Sequence, residues 1–401
     1  MKQISQFYTL FWIIYFPTCI AYNDLDGFSS IDEMMTVILI AYTLLKRGNV
    51  YTNNGPWREF FQFLMILGFY VIYSVFMHVN VWGAVELEII QQIRPYSVIY
   101  CTWILNPQFS VRQKKMMVLS MIITLFSWIL YHPESTDLEF ESEFPILGQL
   151  AICTGMSYYL FMDGSAYHKR MALLFVLTGL LAPKFKFMGE VVCFVAVMFY
   201  LRKPLDYKSP KTVLFLFVLF LIVLFVTWTR FDGYYVTGWN DDNLARPKTY
   251  RTSFLILRDY FPFGSGMGTF ATNAAWRFYS PLYYKYNLNT VWGLDEGGGF
   301  ICDAFYPTLA QYGIVGVFLF CVFWKRRLAA MVNIEDMKYY RVALMAFFCL
   351  AIEQAADSSY LSGKGMGYFM LLGLCMNANR NMDRESVDFV HESREDLQMD
   401  E

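Results

Sequence analysis

Lys211–Arg230 reads KTVLFLFVLFLIVLFVTWTR, with no charge from residue 212 to residue 229 and a cation at each end. A run of that kind has no polar face to show water. About 20 mostly apolar residues cross the hydrocarbon of a bilayer, somewhat fewer when flanking Lys and Arg side chains reach out to the interface. The stretch therefore predicts a transmembrane helix, and the rest of the chain repeats its pattern of apolar runs separated by short basic loops.

Composition agrees. Of 401 residues, 56% are hydrophobic, 19% aromatic and only 16% charged, where a soluble domain carries about 25% charge. The net charge of −2 identifies no partner, and nothing points to nucleic acid. Cysteines 19, 101, 153, 193, 302, 321, 349 and 375 lie almost wholly in apolar segments with no CxxC pair. They read as small buried hydrophobes, with Cys302 the one placed for exposure, rather than as a disulfide frame or zinc site. The first apolar stretch lacks a small-residue cleavage site before the next span, so it reads as an uncleaved helix.

Candidate spans fall at about 7–22, 30–45, 60–79, 86–105, 116–131, 146–162, 170–183, 187–201, 212–229, 304–324, 340–357 and 366–378. The expected fold is an all-α polytopic membrane protein of about 12 transmembrane helices, with one large extracytoplasmic loop between helices 9 and 10. The divisions are 1–229 for an N-terminal bundle, 230–303 for the loop domain, 304–378 for the last spans and 379–401 for a charged cytoplasmic tail. The second, fourth and seventh spans are the weakest. Asp32, Glu33, Glu86, Glu88 and Arg94 interrupt two of them, and the other is short. Loops bearing Lys46, Arg47 and Arg58, then Arg112 and Lys115, Lys169 and Arg170, Arg202 to Lys211, and Lys325 to Arg327 share one side if both termini are cytoplasmic. The acidic loop from Glu134 to Glu143 and residues 230–303 then face outward.

Lys184 and Lys186, in Pro183-Lys-Phe-Lys-Phe187, break this bias by falling on the outward side. Two readings stand: residues 170–201 form one long or re-entrant element, or these cations hold something anionic at the outer face.

Residues 230–303 hold seven Lys/Arg, seven Asp/Glu and eighteen aromatic residues. A mere connection is short and polar, so this loop should be a folded cap or the lining of a site. Aromatic faces suit both sugar rings and the membrane interface; interface anchoring leaves Trp239, Trp276 and Trp292 in mid-loop unexplained. Thr249–Tyr260 predicts a short helix near the membrane surface, stopped by Pro262. In Gly264-Ser-Gly-Met-Gly268, Gly264 and Gly266 permit positive φ and close approach of backbone to a ligand. No strand precedes them, so a dinucleotide fingerprint is not supported. Gly297-Gly-Gly299 suits a mobile lid beside Asp295, Glu296 and Asp303.

The ordered series Arg251, Phe261-Pro-Phe-Gly-Ser-Gly-Met-Gly-Thr-Phe270, Tyr279-Ser-Pro-Leu-Tyr-Tyr284, Trp292-Gly293, Asp303-Ala-Phe-Tyr-Pro307 and Gly313-Ile-Val-Gly316 resembles the O-antigen and exopolysaccharide polymerases. These are the Wzy-type members of the O-antigen ligase/polymerase superfamily. The resemblance covers the layout of spans and is specific over about 230–320. It implies a glycosyltransferase that joins oligosaccharide units carried on undecaprenyl pyrophosphate at the outer face of the bacterial inner membrane, making O-antigen, capsule or exopolysaccharide. A chain-length regulator and a flippase are the protein partners it implies, and no cofactor.

Carried over residue by residue, Lys184 or Lys186 stands where ligase-type members place an arginine, and Lys lacks the planar fork that grips phosphate in two places. Arg251, with Arg246 as alternate, matches a second essential arginine upstream of the Pro-x-x-Gly turn. Ligases place a histidine shortly before the helix bearing Gly-x-x-Gly; the four histidines here, 78, 132, 168 and 391, all lie elsewhere, and Asp303 occupies roughly that place.

In the expected chemistry, cationic side chains stabilise the departing pyrophosphate by charge-assisted hydrogen bonds. A carboxylate activates the acceptor hydroxyl, an effect of about 10²–10⁴-fold. Asp303 is the first candidate base, followed by Glu296 and Asp295; Asp303 reads equally well as the N-cap of the tenth span. No DxD-type cluster appears, so no metal is implied. Arg94, before Pro95 in the fourth span, either reaches the lipid pyrophosphate or pairs with Glu86 or Glu88. Glu353 in the eleventh span pairs with a cation or forms a proton or ion site. Two other functions stay open: an O-antigen ligase, against which the absent loop histidine counts, and a transporter or flippase, against which the lack of an internal repeat counts.

Overall fold

The computed structural model describes residues 2–24, 30–46, 54–131, 144–182, 184–206, 208–299, 305–356 and 358–379. Among these the regular structure is entirely helical. The long elements before the loop region are α1 (Lys2–Asp24), α2 (Ile31–Leu45), α3 (Asn54–Met77), α4 (Trp82–Leu105), α5 (Val111–Tyr131), α6 (Phe144–Phe161), α7 (Ala166–Thr178), α8 (Phe185–Val195) and α9 (Pro210–Val226). The loop region holds α10 (Trp228–Phe231), α11 (Ala245–Asp259), α12 (Asn273–Arg277) and α13 (Pro281–Lys285), and α14 (Phe305–Val332), α15 (Met337–Ala356) and α16 (Met366–Cys375) follow.

A helix overlies each of the predicted spans, but length and composition separate them. Four helical stretches, Lys2–Tyr22, Gly55–Met77, Val111–Tyr131 and Phe305–Val332, are long and apolar enough to cross a membrane. Pro210–Val226 with Trp228–Val236 makes a fifth if a pair bent by 74° counts as one span. These helices make the chain a helical membrane protein. The others fall short for physical reasons: α7 and α8 have 13 and 11 residues, and α4 carries Glu86, Glu88 and Arg94.

The opening stretch shows the lipid-facing pattern most clearly. On α9 only Leu219 is buried, while Leu214, Phe217, Phe220 and Phe225 stand outward; hydrocarbon is the solvent in which such a helix is stable. The helix ends at Val226 because Thr227 turns its hydroxyl back to the Val223 carbonyl (2.9 Å) and the chain bends.

The main core joins α1, α4, α5, α6, α15 and α16 through Tyr8, Trp12, Ile99, Met121, Met156, Met345 and Leu371, all fully buried. Gly373 lets α16 approach α4 closely: a Cβ there would lie 2.9 Å from the Ile99 carbonyl oxygen. Of the cysteines, 101, 153, 193, 349 and 375 are buried, but Cys321 is exposed on α14, and Cys302 lies outside the described residues.

The two ends of the bundle differ in chemistry. At one, the basic connections meet: Lys46 bonds Gln3 (2.7 Å), Arg326 bonds Gln62 (3.0 Å), Arg327 bonds Glu59, and Arg341 donates to the Leu201 carbonyl (2.7 Å). At the other sits the loop domain, with its own core of Ile256, Phe270, Tyr283, Leu288, Val291 and Leu294, closed by Tyr306 and Ala310 of α14. Here α11 turns Thr249, Thr252, Ser253 and Ile256 inward and leaves Phe254 and Leu255 exposed. It begins four residues before the predicted Thr249 because Pro247 fits a first helical turn, where no N–H is needed.

Candidate functional site

The glycine-rich turn explains how the loop domain seats on the bundle. α14 breaks at Gly313 (φ +61°, ψ −166°), which strands carbonyls of the turn before it. The Ser265 and Gly266 N–H groups donate to the Ala310 and Gln311 carbonyls at 2.9 and 3.0 Å. A Cβ on Gly264 would lie 2.5 Å from the Ala310 oxygen, and one on Gly313 would lie 2.2 Å from the Pro262 oxygen. This corrects the expectation that Gly264 and Gly266 bring backbone to a ligand. Both are buried, and the backbone they approach belongs to α14 and α3.

Beneath this seat lies Glu88, fully buried on α4. Its Oε1 accepts from Gln92 (2.9 Å), Tyr312 (3.2 Å) and Gln311 (3.4 Å), and the side-chain Oε1 of Gln311 in turn accepts from the Thr269 N–H (2.8 Å). A chain of dipoles thus runs from the loop domain into the bundle.

Two turns deeper on α4 stands Arg94, only 4% exposed. It bridges Asp32 and Glu33 at the start of α2, both at 2.7 Å, and donates to the Leu361 carbonyl at 3.3 Å. The expected pairing with Glu86 or Glu88 does not occur. Glu88 lies six positions away on the same helix, outside the three- and four-residue spacing that brings side chains together, and Glu86 accepts from the Trp82 indole. Asp32 also accepts from the Gly363 N–H (3.1 Å), while Tyr15 donates to the Gly363 carbonyl. The Glu33 side chain keeps 26% exposure, and the exposed Tyr22 ring lies within electrostatic reach of Arg94, Glu33 and Arg277 of α12. Here a buried cation, an accessible carboxylate and the loop domain come together.

Lys186 has a different fate from the one expected. Near the start of α8 its Nζ meets Glu353 Oε2 at 2.9 Å, with side-chain exposures of 5% and 0%. Glu190, one turn along α8 and fully buried, accepts from the Tyr368 hydroxyl (2.9 Å). Lys186 and Arg94 are each held by their own carboxylates, so they do not form one cationic pocket. Lys184 stands at the N-terminal boundary of α8, half-buried.

The remaining candidates lie on the loop domain. Arg246 donates to the Ala356 carbonyl (2.8 Å) and stacks over Tyr234 at 5.3 Å, tying α11 to the end of α15. Arg251 pairs with Asp242 (2.7 Å), which Lys248 also holds (3.0 Å), and these two cations keep the exposed Asp242 carboxyl below the usual range. Asp295 accepts from the Gly293 N–H (3.0 Å), a turn contact, and Glu296 accepts from the Tyr284 hydroxyl. Burial and neighbouring acids push Tyr279 up to about 12. Trp292 is 88% exposed, a bare aromatic face on the surface of the domain. Asp303 lies outside the described residues.

Asp32, Glu33 and Glu190 are absent from the sequence-based candidates. A signal for them existed: a charge inside a span requires a partner, and Asp32 and Glu33 stood out as interruptions of the second span. The particular pairing across helices left no trace in spacing. No family model, curated protein or solved structure matches the chain.

Proposed function

We propose that this chain is a lipid-linked oligosaccharide glycosyltransferase, polymerising undecaprenyl-pyrophosphate-linked units into O-antigen, capsule or exopolysaccharide at the outer face of a bacterial inner membrane. In this reading all twelve predicted segments belong to the membrane part and both termini are cytoplasmic. The loop domain lies on the outer side. The observation that carries the proposal is Arg94, buried against Asp32 and the partly exposed Glu33 at the end of the bundle that bears the aromatic domain.

The chemistry follows from those groups. The donor pyrophosphate takes the place of Glu33 on Arg94, a charge-assisted contact of the kind that stabilises a leaving diphosphate. The freed carboxylate accepts the proton of the acceptor hydroxyl while the acceptor oxygen bonds to the anomeric carbon. The anomeric carbon–oxygen bond breaks, and its electron pair leaves with the lipid pyrophosphate. Arg246 and Arg251 line the approach, Trp292 offers a sugar-stacking face, and Asp303, the base candidate that the sequence offered first, is the alternative to Glu33 in that role. A second reading, a transporter, draws support from the buried Lys186, Glu353 and Glu190 group.

The test is purified protein in lipid nanodiscs with synthetic undecaprenyl-pyrophosphate oligosaccharide. A product ladder that Arg94→Met abolishes and Arg251→Ala weakens is the expected result. Absence of any ladder sinks the polymerase reading; a single transfer onto lipid A core supports a ligase, and movement of the intact substrate across vesicles supports a transporter.

A further inference from the structure

Glu190 is a buried carboxyl in an unusual position. It is 0% exposed, and no Lys, Arg or His nitrogen lies within ion-pair distance of it among the described residues. Its Oε2 accepts one hydrogen bond, from Tyr368, and its Oε1 is buried with no hydrogen-bond partner. The carboxyl of Glu353 is a like charge within electrostatic reach of it, and that carboxylate already holds Lys186 at 2.9 Å. Two carboxylate oxygens have no attraction for one another unless a hydrogen stands between them.

Glu88 makes the useful contrast. It too is fully buried without a cation and has one oxygen, Oε2, without a hydrogen-bond partner, but three side-chain donors converge on its Oε1 and Thr272 stands beside it. Dipoles can solvate that charge. Around Glu190 they do not. Among the described residues, the titratable groups within electrostatic reach of it are Lys186 and Cys193 from α8, Glu353 and Cys349 from α15, Tyr368 from α16 and Cys153 from α6. From α9, Val223 and Thr227 approach at Gly189, and neither carries a charge. An ionised carboxylate in such surroundings costs several kcal/mol by desolvation alone, and a second carboxylate within reach adds repulsion.

We infer that Glu190 is an intramembrane proton-binding site: it holds a proton at neutral pH, and its O–H is donated to the Glu353 carboxylate. The inference holds whichever reaction the chain carries out. The proton arrives from the medium and forms the carboxyl O–H bond; Lys186 stays an ammonium paired with Glu353. Tyr368 donates to the other Glu190 oxygen, so the site links α8, α15 and α16. Its position has a consequence. Glu353 lies three residues before Ala356, which receives Arg246, and eight before Leu361, which receives Arg94. Loss of the proton leaves two carboxylates within electrostatic reach of one another at the root of the segment that carries both arginine contacts.

Infrared spectroscopy of the full-length protein in lipid nanodiscs reads this directly. At about pH 7, where an ordinary glutamate of pKa near 4.3 is ionised, the wild type should show a protonated carboxyl C=O band that shifts in heavy water. Glu190→Gln, nearly isosteric, should remove that band, and Glu88→Gln should leave it in place. The inference is overturned if the wild type has no such band at that pH, a result that needs no variant to fold. It is equally overturned if the band survives in Glu190→Gln, or if sodium ions at constant pH abolish it, since the site would then hold a metal cation.

Discussion

Two ion clusters near the loop-domain end of the bundle are built from the same groups and differ in access. Arg94 faces Asp32 and Glu33, and Lys186 faces Glu353 with Glu190 alongside. In the first, the guanidinium fork serves two carboxylates and a backbone carbonyl while Glu33 keeps a quarter of its surface open. In the second, every described group is sealed between helices. The open cluster can exchange a carboxylate for another anion. The sealed one can exchange only a small ion, and its part is to fix how α8, α15 and α16 stand. A buried charge therefore does not define a site by itself; accessibility of its counter-charge does.

The largest expected effect breaks the sealed cluster. Lys186→Met takes the ammonium away from the buried Glu353 and should cost about 3–5 kcal/mol, the usual loss when one partner of a buried pair is removed. Thermal unfolding in detergent measures it, and adding Glu353→Gln should recover much of the loss. If the single variant melts with the wild type, the pair is not a structural fixture. Arg94→Met should destabilise less, since Glu33 regains water, yet it should abolish the product ladder that Lys186→Met only weakens. Equal loss of stability in the two variants would erase the difference between the clusters.

Next in size is the seat of the loop domain. Gly313→Ala forces a side chain into a conformation that glycine alone adopts readily and against the Pro262 oxygen, at a cost of about 1–3 kcal/mol. Limited proteolysis within residues 237–300 should speed up while the melting of the bundle changes little. A smaller effect comes from acid. Asp242 is held below the ordinary carboxylate range by Lys248 and Arg251. Its pairing is fully present above the unfolded pKa of about 3.9 and is lost as pH falls through the lower folded value. Proteolysis near Asp242 should therefore rise only below about pH 4, and Asp242→Asn should show the same faster cutting at neutral pH. The smallest effect on stability belongs to Trp292→Ala, within about 0.5 kcal/mol because the ring is exposed. Its expected consequence is weaker capture of the oligosaccharide, read as a raised KM with kcat little changed.

Much of the fold was legible from local pattern. The run from Lys211 to Arg230 announces a lipid-facing helix because solvent selects side chains one position at a time, and α9 buries only Leu219 against the rest of the protein. The loop domain was legible as folded because eighteen aromatics in one connection demand burial, and Ile256, Phe270 and Tyr283 do form a core. The glycine turn was misread. Its partner, the break at Gly313, lies some fifty residues on, and nothing local distinguishes backbone freedom for a ligand from backbone freedom for a helix.

The sequence by itself determined that this is a helical membrane protein, that its apolar runs and the Thr249–Tyr260 stretch are helical, and that Arg94, Lys186 and Glu353 are anomalies needing partners. Those conclusions rest on hydrophobicity and charge, properties each residue carries alone. Only the tertiary structure decided that Arg94 takes Asp32 and Glu33, that Lys186 takes Glu353, and that Glu190 is left beside them without a cation. Pairing is decided by which helices become neighbours. Packing sets that across separations of 61 residues for Arg94 with Glu33 and 167 for Lys186 with Glu353.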